Sequence, residues 1–231
     1  MTWSDDAREV TGNGPPVAAL VTDLIATLPW LADLRSERLR VLEAAGAGEG
    51  ADTLVPLGHT VVVLNAAQEL LDAARARLMA DPDRLIGNVA LTRGSIADVP
   101  RRWPPNAFDL ILCHTVFEQS IDPQAVLTAL VAVLKPGGYL SLAFTQSADD
   151  RSNGDHPTHL TAETVASWLS GLDVAVVRRG GVGGPGEPAP GVEDGASHLQ
   201  EAIQAQMGAG PGLARYCHLL ARKPIVFPMP L

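Results

Sequence analysis

A glycine-rich loop at residues 41–50, Val-Leu-Glu-Ala-Ala-Gly-Ala-Gly-Glu-Gly, is the first feature of the sequence that suggests chemistry. Gly46, Gly48 and Gly50 alternate with other residues shortly after the acidic Glu43. A glycine has no Cβ, so a turn built from glycines lets backbone N–H groups approach a ligand closely. Residues 40–42 favour a strand and residues 51–57 a helix, and this context predicts a ligand-binding turn. An ordinary turn between a strand and a helix is the alternative.

Polar side chains also follow the next three predicted strands. Asn65 follows the apolar run 60–64, Ser95 comes after a strand at 89–92, and His114 comes after a strand at 108–113. Nucleotide sites place an acidic residue at the end of the second strand, where it accepts hydrogen bonds from ribose hydroxyls. Asn65 offers a carbonyl oxygen there, without the charge of a carboxylate. For His114, contact with a ligand and a buried structural role are both open interpretations.

Two histidines, His156 and His159, lie in the polar segment 145–160, which we predict to be a loop or lid. An imidazole over a cleft can act as general base for a hydroxyl or an amine, so both are candidate catalytic residues. Two solvated loop histidines are the alternative interpretation. Their spacing would also suit a metal, but no third ligand is evident, and we predict no metal site.

Strand and helix patterns alternate along residues 39–144 and predict a mainly parallel sheet with helices on both faces. Ligands bind such sheets outside the carboxyl ends of the strands, at the switch point in strand order. We predict helices at 15–34, 66–80 and 123–134, and further strands at 139–144, 174–177 and 213–221. The Gly/Pro-rich segment 180–196 is a predicted surface loop. We interpret 1–231 as a single domain in which 1–38 form an N-terminal helical segment.

The composition limits the classes of partner. The 231 residues are 46% hydrophobic, which is ample for one α/β core. The formal net charge of -9 disfavours nucleic acid as a partner, because phosphate contacts need basic side chains. The N-terminus lacks the features of a signal peptide, and no apolar run is long enough to span a bilayer. We therefore expect a cytoplasmic protein with no membrane partner, in which Cys113 and Cys217 are buried free thiols.

Residues 39–146 resemble a known family. The stretches Phe108-Asp-Leu-Ile-Leu-Cys-His114 and Val133-Leu-Lys-Pro-Gly-Gly-Tyr-Leu-Ser141 match the fourth and fifth strand motifs of class I S-adenosylmethionine (SAM)-dependent methyltransferases. More narrowly, the chain is similar to the bacterial tRNA 5-carboxymethoxyuridine methyltransferases. That similarity is carried by Gly48-Glu-Gly50, Gly58-His59, His114 with Val116-Phe-Glu118, Asp122-Pro123 and the stretch from Arg215 to Pro224.

The resemblance implies a Rossmann-like α/β fold whose seven-stranded sheet is mostly parallel and has an antiparallel last strand. It also implies SAM as the cofactor, lying along the glycine loop. The implied cofactor-binding residues are Glu43, Gly46, Ala47 and Gly48 in the loop, Asn65 and Ala66 at the ribose, Ser95 and Ile96 at the adenine, and His114 near the methionine moiety.

The loop departs from the family pattern, acid-x-Gly-x-Gly-x-Gly. Two alanines separate Glu43 from Gly46, one residue too many, so either the strand bulges after Glu43 or Ala44 takes the acidic place. No arginine lies between Arg8 and Arg35, where the tRNA enzymes place one that contacts the cofactor. With Asn65 in place of the ribose acid, we expect Asn65→Asp to tighten SAM binding.

These features together lead us to interpret the chain as an enzyme that transfers the SAM methyl group to an O or N atom of a small molecule. Such chemistry mainly needs in-line positioning of the nucleophile within a dry cleft. One alternative is a catalytically silent homologue that acts as a subunit or regulator of a partner; a protein partner or a homodimer is compatible with the sequence. Another is an enzyme that uses the same cleft for a non-methylating reaction, such as a cyclisation. The acidic charge and the acidic residues of the lid disfavour tRNA as the substrate.

Overall fold

The computed structural model describes residues 17–33, 37–80, 88–114, 120, 122–146, 160–182 and 215–225. Their helices are α1 (Val17–Thr27), α2 (Glu49–Leu54), α3 (Gln68–Met79), α4 (Val99–Arg102), α5 (Pro123–Val133) and α6 (Ala162–Gly171), with short 3-10 helices at Pro29–Leu31 and Ile96–Asp98. Their strands are β1 (Arg40–Ala44), β2 (Thr60–Asn65), β3 (Val89–Arg93), β4 (Phe108–His114), β5 (Leu134–Gln146), β6 (Ala175–Val182) and β7 (Arg215–Arg222).

The strands of these ranges form one seven-stranded sheet in the order β3-β2-β1-β4-β5-β7-β6. The first five strands pair in parallel, with β1 lying between β2 and β4. β7 runs antiparallel between β5 and β6. The predicted Rossmann-like sheet, mostly parallel with an antiparallel last strand, is confirmed.

Helices cover both faces of the sheet because successive side chains of each buried strand point in opposite directions. Val41 and Val61 contribute to a core with α1, α2 and α3. Leu42 and Ile111 contribute to a second core, on the opposite face, with α4, α5 and α6. No helix of the described ranges is both long and apolar enough to cross a membrane.

The N-terminal helix is shorter than the predicted range 15–34. α1 ends at Thr27, and a 3-10 turn starts at Pro29. A proline disfavours helical backbone in the residue before it, and Leu28 accordingly has φ -122° and ψ 73°. The predicted helix 15–34 is therefore interrupted at Leu28, and residues 1–16 and 34–36 lie outside the described ranges.

β5 and β6 are longer than predicted. β5 begins at Leu134, which pairs with Phe108 of β4, and the N–H of Gly137 donates at 2.7 Å to the carbonyl of Lys223, just beyond the end of β7. At its other end Gln146 pairs with Arg215, so residues 145–146 are strand rather than loop. Residues 180–182 likewise belong to β6. The rest of the loop segments predicted at 145–160 and 180–196 lies outside the described residues, except for the buried Leu160.

Candidate functional site

The predicted cofactor-site residues lie along the edge of the sheet where the parallel strands end. The glycine loop follows β1 from Ala45, Asn65 ends β2, Ser95 follows β3, and His114 ends β4. β2 lies on one side of β1 and β4 on the other, so the strand order reverses at β1. Open α/β sheets bind their ligands at such a switch point. The fold therefore places these groups where a ligand is expected.

Glu43 anchors the glycine loop from below. Its buried carboxylate accepts hydrogen bonds from the N–H of Gly48 at 2.9 Å and of Ala51 at 3.0 Å. Both donors belong to the loop or the first turn of α2, where backbone N–H groups have no partner within the helix. Burial raises the pKa of Glu43 to about 7, against the backbone hydrogen bonds, which lower it. One side chain thus fixes both the loop and the start of the helix.

The extra residue of the loop is absorbed by Ala45. β1 stays in regular register with β2 through Ala44, which pairs with Leu64. Ala45 then adopts a left-handed backbone with φ 55°. Both sequence-based alternatives were therefore wrong: the strand does not bulge after Glu43, and Ala44 does not take the acidic place. The acid is Glu43, because its side chain points back under the loop.

The glycines fit the loop around this carboxylate and against α3. A Cβ on Gly46 would lie 2.2 Å from Oε1 of Glu43. Gly48 has φ 84°, and a Cβ there would lie 3.0 Å from the Cβ of Ala74 in α3. Next to it, the Ala47 carbonyl accepts a hydrogen bond at 2.7 Å from Nη2 of Arg77, also in α3. The loop is therefore held on two sides.

We expect Gly46→Ala to lower the free energy of unfolding by roughly 1–2 kcal/mol, because the new methyl group must displace the buried Glu43 carboxylate. Chemical denaturation of the purified protein measures the change. Gly171→Ala is the matched control, since nothing lies within 4 Å of the place that its Cβ would take and α6 gains a better helix former. Equal stabilities of Gly46→Ala and the wild type would contradict the described packing of the loop on Glu43.

Asn65 holds the glycine loop from the side. Its Nδ2 donates to the carbonyl oxygens of Ala45 at 3.1 Å and Gly46 at 2.9 Å, and its Oδ1 accepts from the N–H of Ala67 at 2.9 Å. A carboxylate has no N–H to donate, so aspartate could not make the first two bonds. This removes the physical basis for the expectation that Asn65→Asp tightens cofactor binding.

Ser95 and Ile96 lie in a capped turn after β3. The Ser95 hydroxyl accepts from the N–H of Ala97 at 3.2 Å, and the Asp98 carboxylate accepts from the N–H of Ser95 at 3.4 Å. This capping box fixes the short helix Ile96–Asp98. Ile96 is buried, while Ala66, after β2, is exposed. The turn therefore offers one hydroxyl and one apolar side chain at fixed positions.

His114 is the first member of a row of hydrogen-bonded polar side chains that crosses the sheet below the site. Its Nε2 lies 3.0 Å from Oγ of Ser141, which lies 2.8 Å from Nε2 of His218. Nδ1 of His218 lies 3.6 Å from the carboxylate of Asp23, which forms an ion pair with Arg178 at 2.7 Å. Burial, together with the neighbouring His218, lowers the pKa of His114 to about 3.

Four members of this polar row were not among the site residues predicted from sequence: Asp23, Ser141, Arg178 and His218. A sequence signal exists for two of them, because Ser141 and His218 interrupt apolar runs in strands, where a buried polar side chain needs a partner. Their partners lie far away along the chain, so sequence alone does not pair them.

The candidate catalytic residues His156 and His159 lie outside the described residues, so their role stays a prediction. Within the described ranges, no group of three or more His, Cys, Asp or Glu side chains could hold a metal ion. Cys113 and Cys217 are buried free thiols, as predicted, and burial raises the pKa of each to about 12.

Known methyltransferases match the part of the sequence that forms the first five strands of the sheet. A family model described as a methyltransferase domain matches residues 42–142. The tRNA 5-carboxymethoxyuridine methyltransferase of Escherichia coli (strain K12) is 36% identical over 115 residues, which are 49% of this chain and 43% of that protein. The ubiquinone biosynthesis O-methyltransferase of Xanthomonas euvesicatoria is 30% identical over 105 residues, 45% of this chain and 42% of that protein. The matched part spans less than half the length of either relative.

Solved structures share the fold over most of the chain. The crystal structure of the [4+2]-cyclase SpnF superposes with a TM-score of 0.64 and 19% sequence identity, covering 97% of this chain and 86% of that one. At this sequence identity, the superposition shows that the two proteins share a fold and nothing more.

Proposed function

We propose that the chain is a class I, SAM-dependent methyltransferase that transfers the methyl group of SAM to an oxygen or nitrogen atom of a small molecule. The observation that carries the proposal is the loop after β1, fixed by Glu43 at the switch point of the sheet. A pre-formed loop at this position binds a nucleotide-like ligand without first having to be ordered.

The groups at the edge of the sheet fit the nucleoside half of SAM. Asn65 Oδ1 can accept a further hydrogen bond beside the Ala67 N–H, which suits a ribose hydroxyl. Ser95 offers a hydroxyl and Ile96 an apolar surface in the turn after β3, which suits an adenine ring. We propose that Gly46, Ala47 and Gly48 contact the cofactor from the loop, that Ala66 borders the ribose, and that His114 borders the methionine moiety.

When bound, SAM supplies a methyl group activated by its sulfonium. The protein's task is then to hold the acceptor atom in line with that methyl and to keep water out. His114, buried at the end of β4, is the described polar side chain best placed to orient an acceptor. His156 and His159 remain the candidates for a general base.

A small molecule is the substrate class that the charges favour. The formal net charge is -9, and two arginines are already paired with carboxylates, Arg77 with Asp52 and Arg178 with Asp23. Phosphate backbones need clustered unpaired cations. The relatives include an enzyme named for tRNA and one named for ubiquinone biosynthesis, and the charge favours the second kind of substrate.

We expect SAM and S-adenosylhomocysteine to bind with micromolar dissociation constants, because the loop and the turn after β3 are already fixed by internal hydrogen bonds. Isothermal titration calorimetry on the purified protein measures both affinities. Absence of binding at millimolar ligand would contradict the proposal. A salt-sensitive gel shift with tRNA would instead contradict the assignment of a small-molecule acceptor.

A non-methylating enzyme that uses the same cleft is the second candidate. Asn65 favours it, because a neutral amide stands where nucleotide sites place a ribose-binding acid. SAM that binds but remains unconsumed while the acceptor is converted would identify this activity.

A further inference from the structure

A row of polar side chains crosses the face of the sheet that α1 covers. His114 on β4, Ser141 on β5 and His218 on β7 lie on neighbouring strands, and Asp23 of α1 closes the row. Ser141 is completely buried, and the two histidines are 5% and 6% exposed. Around them lies the apolar core that includes Leu110, Leu112 and Leu220. A buried polar chain in such surroundings is costly unless its members satisfy one another.

At the α1 end of the row, the charges of Asp23 and Arg178 cancel each other. Arg178 of β6 donates through both Nη atoms to the Asp23 carboxylate, and its Nη1 also contacts the hydroxyl of Thr27. Burial raises the pKa of Asp23, but the neighbouring His218 and Arg178 lower it by more, so the pKa stays below its usual value. One carboxylate and one guanidinium already sum to zero charge. A neutral His218 keeps this balance, whereas a protonated one would leave an excess positive charge in the core.

The direction of each hydrogen bond then follows from this end. Nδ1 of His218 faces a carboxylate, so it carries the proton, and Nε2 of a neutral His218 is an acceptor. The Ser141 hydroxyl must therefore donate to His218, and its oxygen accepts from the other neighbour. That neighbour is Nε2 of His114, at 3.0 Å.

We propose that Asp23, His218 and Ser141 are positioning residues that fix His114 as the tautomer protonated on Nε2, with Nδ1 as the acceptor nitrogen. Imidazole geometry directs the Nδ1 lone pair away from Ser141. The assignment requires no change in the protonation state of any residue of the row. The order of the bonds, from α1 across three strands, determines which nitrogen of His114 at the end of β4 carries the proton.

The consequence of this tautomer for the reaction rests on the proposed function, in which His114 lies beside the methyl acceptor. A hydroxyl or an amine brings the hydrogen-bond donor that Nδ1 of His114 would accept, whereas a compound with acceptor atoms alone does not. The assignment therefore favours a hydroxyl or amine compound as the methyl acceptor.

Nitrogen-15 NMR of the histidine rings in the ligand-free protein tests the assignment directly, because protonated and unprotonated ring nitrogens resonate far apart. We expect His114 to be protonated on Nε2 alone and His218 on Nδ1 alone at neutral pH. The reversed pattern for His114, or a doubly protonated His218, would overturn the proposal. This measurement needs no variant and no SAM, so its outcome is independent of the calorimetric test of cofactor binding.

Two substitutions test the coupling between the residues. Ser141→Ala removes the shared hydroxyl, and we expect the His114 nitrogen frequencies to move to tautomer-averaged values while the ion pair between Asp23 and Arg178 remains. Asp23→Asn should remove the single-tautomer signature of His218. Thr128→Ala, which removes a hydroxyl on the surface of α5, is the control and should leave both signatures unchanged. A wild-type signature of His114 in a folded Ser141→Ala protein would show that the row does not set its tautomer.

Discussion

Between pH 4.5 and pH 7, the free energy of unfolding of the wild type is expected to fall by about 3 kcal/mol because of Glu43. Replacing Glu43 with glutamine is expected to abolish this fall. Burial raises the pKa of this carboxyl from 4.5 to about 7 in the folded protein. Between these values the folded protein holds a proton that the unfolded chain has released. The contribution of Glu43 to stability is therefore complete below pH 4.5 and is lost as the pH rises through 7.

Glutamine adds a second, pH-independent effect. The amide nitrogen of its side chain would face one of the two backbone N–H groups that the Glu43 oxygens now accept, from Gly48 and Ala51. A buried donor left without an acceptor costs about 1–3 kcal/mol. The variant should thus be less stable than the wild type at pH 5, and the two stability curves should converge towards pH 8.

Urea unfolding at several pH values measures both effects in one experiment. The difference between the two proteins isolates Glu43, because other titrating groups such as Asp23 are present in both. Glu69→Gln, at the exposed start of α3, makes the same chemical change away from the loop and should keep the wild-type pH dependence. Parallel curves for the wild type and Glu43→Gln would show that Glu43 does not carry the pH dependence.

Asn65→Asp is expected to weaken SAM binding by at least tenfold, about 1.4 kcal/mol, and to lower the free energy of unfolding by about 2 kcal/mol. The substitution removes both hydrogen bonds that Asn65 donates to the loop, to the carbonyl oxygens of Ala45 and Gly46. It also places a negative charge against those two oxygens. The loop would lose the contact that holds it in its ligand-binding shape.

Calorimetry with SAM and urea unfolding give the two readouts for this variant. Asn106→Asp introduces the same charge in an exposed turn before β4, at the opposite edge of the sheet, and should change neither quantity appreciably. Tighter SAM binding by Asn65→Asp would mean that the ribose contact, and not the bracing of the loop, determines the role of this position.

The sheet could be predicted from sequence because its signals are local. Each of the strands β1, β2 and β4 carries a run of buried apolar residues, at 41–42, 61–64 and 110–113, as expected for strands buried on both faces, and a polar residue directly follows each run. The edge that carries Glu43, Asn65 and His114 follows directly from this pattern. The loop conformation did not follow, because alanine rarely adopts the left-handed backbone that Ala45 shows.

The polar row beneath the site could not be predicted because its bonds join distant parts of the chain. Arg178 and Asp23 are 155 residues apart, and Ser141 and His218 are 77 apart. Each residue type is ordinary in its own segment, and only the antiparallel insertion of β7 brings them together. The same holds for Asn65: the residue type suggested a ribose contact, and only the tertiary structure shows that its side chain also holds the glycine loop.

The position of β7 also sets the order in which the protein can fold as it is synthesised. β6 lies at the edge of the sheet and joins it through β7, which leaves the ribosome after every other described strand. Until residues 215–222 emerge, β5 presents an unpaired edge to other chains, and β6 has no strand to join. His218 arrives with the same strand, so the polar row closes only at this final step. A nascent chain halted before residue 215 would thus hold the cofactor edge of the sheet but lack the support beneath His114.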